Sequence, residues 1–105
     1  MIDLDVDSEL DGSLCAKFSS DAWEVNVRAS VQDFLALAGI RAADWGARSS
    51  LPLGTCAGSP VFWSHEAGIV SLLIGRDDET WDVALTTPVS LVDDLVRIAS
   101  TTTSH

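Results

Sequence analysis

The chain has 105 residues and a mass of 11.2 kDa, which suits one domain around one core. Sixteen acidic groups against six basic ones give a formal charge of −10. That balance argues against direct contact with nucleic acid or anionic membranes, both of which need a basic footprint. It suits either solubility alone or a partner that is itself basic. Apolar residues at 47% and charged residues at 21% exclude wholesale disorder, and no run approaches the ~18–20 apolar residues of a membrane span.

In chain order, Ile2, Leu4 and Val6 alternate with Asp3, Asp5 and Asp7, the period of a strand. Aspartate is a poor strand former, so residues 1–11 read as an acidic edge strand or an ordered tail. This stretch has neither a basic n-region nor an apolar h-region, so a signal peptide is not read and a cytoplasmic location is expected. The Asp3-x-Asp5-x-Asp7 spacing opens like a calcium-binding EF-hand loop. Its sixth position is Ser8 instead of Gly and its twelfth is Leu14 instead of Glu, so calcium is not expected.

Residues 13–19 alternate through Leu14, Ala16 and Phe18, and residues 22–29 through Trp23, Val25 and Val27, which predicts a hairpin turning at Ser19-Ser20-Asp21. Ser30 is placed to cap a short helix over Val31 to Ala38, with Gly39 as a left-handed stop. Residues 40–58 are irregular, punctuated by Gly46, Pro52, Gly54 and Gly58, with room for a short strand at Leu51 to Cys56. Ile40 and Trp45 are expected to anchor this segment, Trp45 being the tryptophan closest to solvent.

A strand is predicted at Val61 to Ser64, a turn at His65 to Gly68, and a central strand at Ile69 to Ile74, covered on both faces. A second turn spans Gly75 to Glu79. The last strand runs from Thr80 to Thr86, with Trp81, Val83 and Leu85 on one face. A helix over Ser90 to Ser100, capped by Ser90, presents Val89, Val92, Leu95, Val96 and Ala99 as its apolar stripe. Residues 101–105 read as a frayed tail. The expected fold is a single α+β domain over residues 1–105. It is an antiparallel β-meander of about five to six strands with two helices packed on one face.

No reaction is named by a motif. His65-Glu66 lacks a second histidine four residues on, and no three-ligand metal set is visible. Cys15 and Cys56 belong to no C-x-x-C and read as buried free thiols. Cys–His or Ser–His pairings with His65 depend on geometry that spacing cannot supply. Asp77-Asp78-Glu79, at a hairpin tip flanked by Arg76 and Trp81, reads as solvated surface charge or, more sharply, as a contact patch.

The G-x-P-V-x-W run (Gly58, Pro60, Val61, Trp63), Gly68, the D-E-x-W run (Asp78, Glu79, Trp81) and the C-terminal helix resemble those of small immunity proteins of bacterial polymorphic toxin systems. The likeness is to the mostly-β type found beside deaminase and nuclease toxins, and it covers the C-terminal half. It implies a cytosolic, cofactor-free, non-enzymatic inhibitor that occludes the active site of one cognate toxin. The candidate contact residues are Asp77, Asp78 and Glu79, then Glu66, Trp45, Asp3 and Asp5. The chain is expected to be a monomer or a weak dimer. The alternatives are a small enzyme or ligand-binding domain with a pocket between sheet and helices, and a dimerising adaptor module.

Overall fold

The computed structural model describes residues 2–9, 11–47, 49–76 and 81–102. Seven strands form one antiparallel sheet in sequence order: β1 (Asp3–Ser8), β2 (Leu14–Ser19), β3 (Glu24–Ala29), β4 (Leu51–Cys56), β5 (Ser59–Glu66), β6 (Ile69–Gly75) and β7 (Trp81–Pro88). Helix α1 (Val31–Leu35) leads into a 3-10 helix (Ala36–Ala42), and helix α2 (Val89–Thr102) closes the chain. The α+β meander is as expected, with seven strands in place of five to six.

The inner face of the sheet meets the helices. Leu14, Ala16, Phe18 and Val27 from β2 and β3 lie with Val61, Trp63, Val70 and Leu72 from β5 and β6, under Phe34, Leu37, Ile40, Val92, Leu95 and Ala99. Trp63 is fully buried, donates its Nε1–H to the Leu53 carbonyl at 2.8 Å and meets Phe18 edge-on at 6.0 Å. The indole thus satisfies its one polar group inside an apolar layer.

Two hairpins share one device. Ala57-Gly58 joins β4 to β5 and Ala67-Gly68 joins β5 to β6, with φ of 51° and 84° in the first and 52° and 82° in the second. Positive φ at both central residues marks the tight turn whose twist matches that of the strands. The second turn shifts the sequence reading: His65 and Glu66 end β5, and the His65 Nε2 accepts the Gly68 N–H at 3.2 Å.

The segment 40–58 is more ordered than its composition suggests. Ser30 does cap α1, its Oγ accepting the Asp33 N–H at 3.1 Å. The helix then tightens to a 3-10 form that passes through Gly39, whose φ is not positive, so Gly39 is no stop. Continuing the turn is what buries both Leu37 and Ile40. Leu51 to Cys56 is a full strand, broken by a bulge between Pro52 and Thr55. Gly54 supplies that bulge with φ +78°, where a Cβ would stand 2.8 Å from the Arg28 carbonyl.

A second bulge, between Ile74 and Gly75 against β7, pairs Trp81 with Gly75 and Val83 with Ile74. It moves Trp81 to the face opposite Val83 and Leu85, against the simple alternation read from sequence. Strand β6 is covered on both faces, with Leu72, Leu73 and Ile74 all buried, although it is the sixth strand and not the centre. Helix α2 starts at Val89, so Ser90 sits inside its first turn instead of capping it, and residues 101–102 are helical where a frayed tail was read.

Candidate functional site

The outer face of the sheet, away from the helices, carries the candidate site. Register places Asp3 beside Ser19, Asp5 beside Lys17 and Asp7 beside Cys15, and continues to Glu24, Asn26 and Arg28 on β3. Alternation on β1 turns Ile2, Leu4 and Val6 toward the core and Asp3, Asp5 and Asp7 to water. Lys17 and Arg28, the basic groups on these three strands, are held by Glu24 at 3.5 Å and Glu9 at 3.3 Å. Among the described residues, the three aspartates make no ion pair. They stand roughly 7 Å apart along β1, with Lys17 across from Asp5 drawn to Glu24 instead.

Beside them the β1–β2 turn is tied by Asp11, whose Oδ1 accepts the Ser13 hydroxyl at 2.6 Å and the Ser13 N–H at 3.0 Å. The hydroxyl bond first, then the backbone bond, hold the Asp11 carboxyl below its ordinary range, so it stays charged. An open groove of about 490 Å³ follows, lined by Cys15, Asn26, Arg28, Thr55 and the Ala57-Gly58 turn. Cys15 and Cys56 both border it as half-buried free thiols, not the fully buried ones expected. Strand β3 separates them, putting their Cα atoms about 10 Å apart, beyond the reach of a disulfide.

The other half of the outer face is aromatic. Phe62, Leu73 and Ala84 are register partners on β5, β6 and β7, and Trp81 pairs with Gly75 one step further on. Trp45 reaches over this half and meets Trp81 edge-on at 6.0 Å. Both indoles are half-buried, while Leu73 on the same face is only 3% exposed. The crossing loop is pinned by Ser64, a buried hydroxyl within hydrogen-bond reach of the Ser49 carbonyl (2.7 Å) and the Ala43 carbonyl (3.0 Å). The His65 N–H adds a bond to the Ala43 carbonyl at 2.8 Å. These bonds explain why a polar side chain is tolerated in a buried layer.

The sequence-named residues separate accordingly. Asp3 and Asp5 lie on the acidic half and Trp45 on the aromatic half. Glu66 is exposed at the far end of β5, paired with Ile69, and the sheet does not bring it near Asp3 or Asp5. Asp77, Asp78 and Glu79 lie outside the described residues. Sequence reasoning missed Asp7, which continues the Asp3–Asp5 row and was signalled by the same alternation. It also missed the meeting of Trp45 with Trp81, which no local pattern signals.

Among the described residues no three His, Cys, Asp or Glu groups gather to hold a metal ion, and no helix is long and apolar enough to cross a membrane. Buried apolar side chains occupy the layer between sheet and helices, and the groove at Cys15, Asn26 and Arg28 opens on the outer face. No family model, curated protein or solved structure matches this chain.

Proposed function

We propose that this protein is a toxin-neutralising immunity protein that uses the outer face of its sheet to cover the basic active-site cleft of one cognate toxin. The observation that carries the reading is the row Asp3, Asp5 and Asp7, free of ion pairs among the described residues, on the solvent-facing side of a strand paired along its length with β2. A basic cleft that binds a nucleic acid or nucleotide is complementary to such a row, and opposite charge accelerates encounter. The aromatic half supplies what charge does not. Tryptophan is enriched among residues that dominate interface energies, and Trp45 and Trp81 share one surface. The body measures 38 × 26 × 25 Å, so one face can supply the ~800 Å² per partner of an ordinary stable interface. Inhibition by occlusion asks for no catalytic group, in keeping with the lack of a reaction motif in the sequence.

The test is a pulldown from the native host with the intact chain, followed by inhibition assays on the protein recovered. The expected partner is basic, encoded beside this chain, and inhibited at equimolar ratio. Its association rate should fall by about tenfold or more between 50 and 500 mM salt. Charge reversal at Asp3, Asp5 and Asp7, compared with reversal at Asp77, Asp78 and Glu79, divides the effect between β1 and the sequence-predicted tip. Tight binding that neither salt nor either reversal changes would remove the electrostatic basis of the reading.

A further inference from the structure

We propose that two copies of this chain pair through β7 as an antiparallel, two-fold symmetric dimer centred on Leu85, joining their sheets into one. The sheet is open, so β1 and β7 are both edges with unpaired backbone groups. The two edges differ in chemistry. Antiparallel self-pairing of β1 about Asp5 would set Asp5 against Asp5 and Asp3 against Asp7, opposing carboxylates at every outward position. Strand β7 has eight residues and one charge, Asp82. It also carries Val83, which is 42% exposed, and its neighbour β6 carries Ile69 at 45% beside Pro88. These are the two large apolar side chains that the described residues leave exposed; Val83 lies on the edge strand itself, on the helix-side face, while Ile69 lies one strand in and on the opposite face.

The backbone fixes the register. The Val89 N–H bonds to the Gly68 carbonyl. Hydrogen-bonded pairs alternate along an antiparallel ladder, so Val83, Leu85 and Thr87 direct their backbone groups to β6, and Ala84 and Thr86 direct theirs outward. The usable edge is bounded by the bulge at Asp82 and by Pro88, which has no N–H to give. Leu85 is the midpoint of the regular span between them. A two-fold axis there pairs Ala84 with the partner's Thr86 in both directions. It also sets Val83 across from the partner's Thr87 and keeps the two Asp82 carboxylates apart. Helix α2 contacts β1, β6 and β7 and packs with α1 and the 3-10 helix. The acidic row on each β1 ends up more than six strand spacings from the axis, on the order of 30 Å, several times the ~8 Å screening length of physiological salt. Of the two self-pairings, the one through β7 therefore opposes fewer carboxylates within the paired strands than the one through β1.

This inference is independent of the toxin-binding reading, and its salt dependence has the opposite sign. Two copies of charge −10 associate better as salt rises, whereas an acidic face leaves a basic partner. Sedimentation velocity on the intact chain from ~1 µM to ~1 mM, in 150 mM and 1 M NaCl, should show the mass rising from 11.2 kDa toward twice that value, earlier at high salt. Val83→Lys, at an exposed position, should raise the concentration of half-dimerisation about tenfold or more with an unchanged circular dichroism spectrum. In a Cys15→Ser, Cys56→Ser background, Leu85→Cys should cross-link under oxidation, because residues on the axis have Cα atoms about 4.5 Å apart. Val83→Cys, with its two copies about 14 Å apart, should not. A chain that stays monomeric throughout overturns self-pairing and leaves the edge to a strand of another protein. A dimer in which Val83→Cys cross-links as fast as Leu85→Cys overturns the register.

Discussion

Ala57 and Ala67 occupy left-handed backbone positions, φ 51° and 52°, that cost an L-residue without a local hydrogen-bonding side chain about 1 kcal/mol or more. Asparagine tolerates that region and is favoured at the first position of such two-residue turns. Ala57→Asn and Ala67→Asn are each expected to raise stability by about 0.5–1 kcal/mol in urea denaturation. The opposite holds at Gly54. There φ is +78° and an added Cβ would approach the Arg28 carbonyl to 2.8 Å, a backbone atom that cannot swing aside. Gly54→Ala should cost about 1–3 kcal/mol, combining backbone strain with overpacking against Val27 and Ala29. An Ala67→Asn variant no more stable than the parent would show that the turn conformation carries no strain to relieve.

At the scale of elements, the 3-10 helix and α2 are joined by apolar packing and by one two-pronged ion pair. Arg41 donates to both oxygens of Asp93, at 3.0 and 2.8 Å. The hydrogen bonds from Arg41 hold the Asp93 carboxyl below its ordinary range, against the opposing effect of burial and with a lesser contribution from the Arg41 charge. A carboxyl depressed in the folded state stabilises above its unfolded pKa, near 3.8, and loses that contribution as pH falls through the folded value. Asp93→Asn should therefore lower the urea midpoint at pH 7 by on the order of a few tenths of a molar, the pair being exposed. The difference from the parent should close below about pH 4. A difference that stays constant from pH 7 to pH 2.5 would mean that Asp93 acts by packing and not by charge. The elements most legible in the sequence were those with an unbroken period, the β2–β3 hairpin and α2, and β6 with its consecutive apolar run. Strand β4 was half-hidden because Pro52 and the Gly54 bulge interrupt its alternation. The 3-10 helix was hidden because its Gly39 looks like a stop and is not one. The acidic row on β1 was legible as alternating aspartates. The Trp45–Trp81 contact was not, since it depends on a bulge that reverses one side chain and on a hydroxyl, Ser64, that pins a distant loop.

Across the whole molecule the charge distribution sets function against stability. Between residues 3 and 28 lie seven carboxylates, with Lys17 and Arg28 as the basic residues, so one end of the sheet holds a large share of the net −10. Asp3, Asp5 and Asp7 gain no ion pair from folding among the described residues and repel each other along β1. A folded chain that holds like charges at fixed short spacing is less stable than one without them, and salt relieves the difference. The triple variant Asp3→Asn, Asp5→Asn, Asp7→Asn should therefore melt on the order of a few °C higher than the parent in low salt, and the gain should shrink in 0.5 M NaCl. If the row is the contact surface for a basic partner, the same variant should associate more slowly, with a weaker salt dependence. A row retained only for solubility predicts the first change without the second. Loss of both stability and binding would instead show that the aspartates support β1 structurally, through contacts that replacement by asparagine disrupts.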